Sequence, residues 1–72
     1  MNAVLTPDGQ PNWNQVGNQR WELQVGDDTM GLYLGNGYCN LYRNKRFHKR
    51  FEGEDCVEQA NVNILRQIER QK

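Results

Sequence analysis

The chain contains no apolar run near the roughly 20 residues that a membrane-spanning helix requires, so no such helix is expected. It has only one histidine and two cysteines, His48, Cys39 and Cys56. Zinc takes four sulfur or nitrogen ligands, usually in closely spaced pairs. Here no pair is close and a fourth soft ligand is missing, so neither a metal nor any other cofactor is expected. The formal net charge is zero, which removes any global attraction to nucleic acid or anionic lipid. No Ser-His-Asp arrangement, phosphate-cradling glycine loop or recessed pair of carboxylates is visible, and a chain of 72 residues has difficulty enclosing a dry cleft. Cys56 at a helix start has no base held near it, which leaves a catalytic thiol without support. The expectation is a protein that is not an enzyme. Residues 1–7 lack the basic and apolar segments of a signal peptide. A cytoplasmic chain with reduced, packed thiols is therefore expected.

What is present is a β-hairpin signature. Asn36-Gly37 lies between two alternating apolar runs within Met30–Tyr42, and Asn-Gly suits a type I′ turn because both central residues need positive φ. A two-residue turn there sets Leu34 beside Cys39 and Leu32 beside Leu41 on one face, with Tyr33 beside Asn40 and Gly31 beside Tyr42 on the other. A one-residue slip would destroy this match. Arg20–Val25 alternates likewise, with Trp21, Leu23 and Val25 on one side. Reading Gly26–Thr29 as a four-residue turn places Val25 opposite Met30 and Leu23 opposite Leu32.

The next strand, around Phe47–Phe51, depends on its turn. A two-residue turn at Asn44-Lys45 would bury His48 and Arg50, and burying an unpaired arginine is costly. A three-residue loop over 44–46 instead turns Phe47 and Phe51 to the core, with Phe51 beside Cys39 and Lys49 snorkelling at an edge. Asp55 followed by Glu58 reads as a helix start. Val57, Ala60, Ile64 and Ile68 then share one face, with Cys56 and Leu65 at its margins and Val62 well off it. Arg66, Arg70 and Lys72 suit the negative end of the helix dipole.

Residues 1–19 are polar and broken by Pro7-Asp8-Gly9 and Pro11. They read as an irregular arm pinned by Trp13, with Ala3-Val4-Leu5 as a candidate extra strand. The fold expected is α+β: a single domain over 20–72 in which a four-stranded antiparallel meander carries one C-terminal helix on one face.

One helix leaves the other sheet face open. The assumed registers place Glu22, Tyr33, Asn40 and Arg50 along its centre, flanked by Gln24, Gly31, Tyr42 and His48 and by Arg20, Gly35, Tyr38 and Glu52. Tyrosines among cations and amides have the composition of an interface, although Tyr42 also serves to cover Gly31. Arg43, Lys45, Arg46, Lys49 and Arg50 form a basic run interleaved with His48 and aromatic rings, followed by Glu52, Glu54 and Asp55. The expected function is a small protein-binding module, an inhibitor or adaptor of the kind phages and mobile elements encode. Its candidate contact residues are Tyr33, Tyr38, Tyr42, Arg43, Lys45, Arg46, His48 and Arg50. The alternative is a nucleic-acid-binding module that grips phosphates with the basic hairpin.

Overall fold

A computed structural model describes residues 4–70. Five strands, β1 (Asn14–Gly17), β2 (Arg20–Val25), β3 (Asp28–Leu34), β4 (Tyr38–Arg43) and β5 (Arg46–Glu52), form one antiparallel sheet in sequential order. Helix α1 (Cys56–Arg70) follows. The α+β class and the meander hold, but the strand count does not: β1 emerges from the segment expected to be an irregular arm. Its polar sequence carries no alternation, and its pairing with β2 breaks register between Gln15 and Gly17. Upstream, Leu5 bridges Pro11, and the Asn12 N–H donates to the Val4 carbonyl at 2.9 Å. Ala3 and Lys72 lie outside the described residues.

The inward side of the sheet reads as expected for β2, β3 and β4. Leu23, Val25, Met30, Leu32, Cys39 and Leu41 are buried, and Cys56, Ala60 and Ile64 of α1 close over them. Cys56 thus belongs to the core itself rather than its margin, while Val57 and Ile68 are partly buried against it. Val62 faces solvent at 47 % exposure. The Asp55 carbonyl accepts the Gln59 N–H, and its carboxylate takes the Gln59 side chain at 2.8 Å, which joins the residue before the helix to the first turn. Trp13 docks on this same side: its indole Nε1–H donates to Asn61 Oδ1 at 2.8 Å, so it does not cover the opposite face.

The turns differ from the sequence-based reading in a consistent way. At Asn36-Gly37 only Gly37 has positive φ, +79°, so the turn is not type I′. Its length is nonetheless two residues, and Leu34 still faces Cys39. Gly26-Asp27 is also a two-residue turn, with Val25 opposite Asp28 and Leu23 opposite Met30. The register is therefore displaced by two residues from the four-residue loop, and that displacement keeps every side chain on its face. Gly26, at φ +62°, takes the first central position, where positive φ suits the twist of the flanking strands.

The type I′ pattern occurs instead at Asn44 (φ 52°) and Lys45 (φ 70°). This two-residue turn replaces the expected three-residue loop. A bulge at His48 then corrects the register, so that Tyr42 faces Phe47 while Leu41 faces Lys49 and Cys39 faces Phe51. Phe51 is buried as expected, and Arg50 stays out of the core. Phe47, on the turn side of the bulge, is not in the core: it is 61 % exposed on the outer face.

Candidate interaction surface

Among the described residues no helix lies on the face of the sheet opposite α1. The two main rows of that face are Arg20–Tyr33–Asn40–Arg50 and Glu22–Gly31–Tyr42–Phe47. The expected row through Glu22, Tyr33 and Asn40 is corrected by the two-residue shift of β2. His48 is the extra residue of the bulge and exposed rather than a neighbour of Tyr42 in the grid.

The three tyrosines have different environments. Tyr38 lies over Gly35, so closely that its ring fills the space a side chain there would need. Arg50 stacks on the same ring, 4.2 Å from its centroid, and its Nε forms an ion pair with Glu52 at 3.2 Å. Tyr38 and Arg50 are thus engaged with each other. Tyr42 meets Phe47 edge to face, with centroids 6.1 Å apart. Tyr33 stands half-buried between Arg20 and Asn40, whose buried Oδ1 has no hydrogen-bond partner among the described residues.

Gly31 lies between Tyr33 and Tyr42, and above it opens a hollow of about 510 Å³ lined also by Val16, Arg20, Glu22 and Lys45. Val16 is 47 % exposed. Val16 and Phe47 were not among the expected contact residues. Val16 has no periodic context, and the sequence turns Phe47 to the core because the bulge has no local signature.

The basic run does not form one patch. Arg43 and Arg46 pair on the side of Leu41, and Lys49 lies on that side too, 5.3 Å from the Phe51 ring centroid. Arg50 is on the outer face, and Lys45 is at the turn. Arg43, Arg46 and His48 do meet around a second hollow of about 500 Å³ at the sheet edge. Arg43 is bound there to Asp28 at 2.6 Å, and Asn44 donates to the other Asp28 oxygen at 2.9 Å. These two hydrogen bonds, Asn44's first, hold the Asp28 carboxyl below its ordinary range. The Thr29 N–H donates to Asn44 Oδ1, which clamps this turn to the start of β3.

Cys39 and Cys56 are both buried, and desolvation, followed by interaction with the neighbouring Cys56 thiol, pushes the Cys39 thiol up to about 12. Such a thiol is packing material rather than a nucleophile at neutral pH. Among the described residues no cluster of three potential metal ligands occurs, and no helix is long and apolar enough to cross a membrane. Comparison of the chain with family models, curated proteins and solved structures finds no match.

Proposed function

We propose that this chain is a small non-enzymatic protein-binding module, an inhibitor or adaptor acting in the cytoplasm, and that it binds through the outer sheet face. The observation that supports this reading is the concentration of Tyr33, Tyr42, Phe47 and Val16 on the side with no helix. Aromatic groups of this kind, held on strands and ringed by charges, carry most of the energy of protein interfaces. Lys45 and Arg20 supply the adjacent positive charge, whereas Tyr38 and Arg50 support the face from within.

Immobilised protein exposed to cell lysate with and without nuclease treatment, with bound proteins identified and titrated, tests the reading. Tyr33→Ala and Tyr42→Ala should each weaken the captured partner by about 1–2 kcal/mol through faster dissociation. Melting should change little, because both rings lie away from the core. Binding that falls steeply with salt and disappears on nuclease treatment would assign the ligand to nucleic acid instead. Unchanged capture by both variants would refute the assignment to this face.

A further inference from the structure

Gly31 sits in the middle of β3, the central strand, where a glycine weakens the sheet without an evident structural reason. Its φ is not in the left-handed region. A Cβ built on it would meet only Tyr42 Cβ at 3.6 Å and the Trp21 carbonyl oxygen at 3.9 Å, both ordinary contacts. Nor does an aromatic ring cover it, since no atom of the Tyr42 ring comes within 4 Å of that position and the ring packs on Phe47. The backbone neither demands glycine nor excludes a Cβ at this position. What the missing side chain leaves is the floor of the hollow.

Lys45 presents the opposite case. At φ 70° it occupies the second central position of a type I′ turn, where glycine is free of strain and an ordinary side chain is not. It nevertheless carries a long cationic side chain that lines the same hollow. Backbone strain accepted at one position and an unfilled space at another converge on one feature, and stored strain tends to collect at functional sites.

We propose that the hollow over Gly31 is an anchor pocket for one aromatic side chain carried on an acidic segment of a partner protein. This rests on the reading of the outer face as a protein-binding surface. Tyr33 and Tyr42 flank the floor and offer edge and face contacts to an entering ring. Arg20 and Lys45 stand at the rim against the single carboxylate of Glu22, and none of the three forms an ion pair among the described residues. The rim is therefore net positive, and carboxylates flanking the anchor complement it.

The probe is a blocked pentapeptide, Asp-Glu-Phe-Glu-Asp, titrated against ¹⁵N-labelled protein. It should shift the amide signals of Gly31, Tyr33 and Tyr42, and binding should weaken with Ala in place of Phe or with Lys in place of the acids. Gly31→Val, which fills the floor with a strand-favouring residue, should weaken the peptide by at least about tenfold, equivalent to 1.4 kcal/mol. Its melt and amide dispersion should show an intact fold. Gly31→Ala, with the smallest addition, should retain the fold and give an intermediate loss.

The proposal is overturned if no hollow amide moves at about 5 mM peptide, where even millimolar affinity would register. Equal binding of the Lys-flanked peptide, undiminished binding by folded Gly31→Val, or displacement of the peptide by a single-stranded DNA oligonucleotide would do the same. In the lysate assay, loss of the partner by Tyr33→Ala with retention by Gly31→Val removes the pocket but keeps the face. Retention by all variants removes both.

Discussion

Replacing Lys45 with glycine should stabilise the fold while weakening binding. A non-glycine residue in the left-handed region costs roughly 1–2 kcal/mol. Glycine takes back roughly 0.4–1 kcal/mol through the greater freedom of the unfolded chain. The centres of these ranges leave a net gain of about 0.8 kcal/mol. For a domain of this size that gain corresponds to a melting increase of about 3–6 °C. The removed ammonium is exposed and forms no ion pair among the described residues, so little offsets the gain. Asn44→Gly supplies the contrast. Asn44 also has positive φ, but its side chain bonds Asp28 Oδ1 and the Thr29 N–H, each at 2.9 Å, and a glycine forfeits both. Thermal melts and urea titrations of the two variants should therefore move in opposite directions, with the urea slope unchanged. A melting temperature for Lys45→Gly equal to or below that of the parent would refute the argument that this turn holds strain for the sake of the lysine.

Ile64, fully buried beneath the sheet, is the centre of the helix–sheet contact. Its replacement by alanine should cost about 2–5 kcal/mol in urea denaturation, a large share of the stability of so small a domain, and a loss below 1 kcal/mol would mean that α1 does not close this core. The Cys39 thiol, raised from 9.0 to about 12, binds its proton more tightly in the folded than in the unfolded chain. Its contribution is complete below pH 9 and declines as pH rises towards 12, so the parent should lose stability more steeply over that window than Cys39→Ala. Parallel pH profiles of the two proteins would contradict this.

Which face each residue of β2, β3 and β4 presents was legible in the sequence, because alternation has a period of two and apolar residues gather on one side. The Gly26-Asp27 turn has two residues rather than the expected four, and a displacement of two leaves the faces unchanged. The helix was equally legible, from the spacing of Val57, Ala60, Ile64 and Ile68.

The candidate surface was legible only in part, and for physical reasons. The emptiness of the outer face followed from having a single helix, and Tyr33 and Tyr42 from alternation. Phe47, however, was placed by two non-local requirements acting together. Phe51 packs against Cys39, and the Asn44 turn is clamped to Asp28 and Thr29; only a bulge at His48 satisfies both. β1 had no pattern of its own, and pairing with β2 makes it a strand. Trp13 was drawn to the helix side by a hydrogen bond to Asn61, 48 residues away, and the Cys39–Cys56 contact likewise joins β4 to α1. Local pattern determined which way side chains point along a strand. Contacts between residues far apart in the chain decided where the register breaks, and with it that Phe47 packs on Tyr42 at the outer face instead of entering the core.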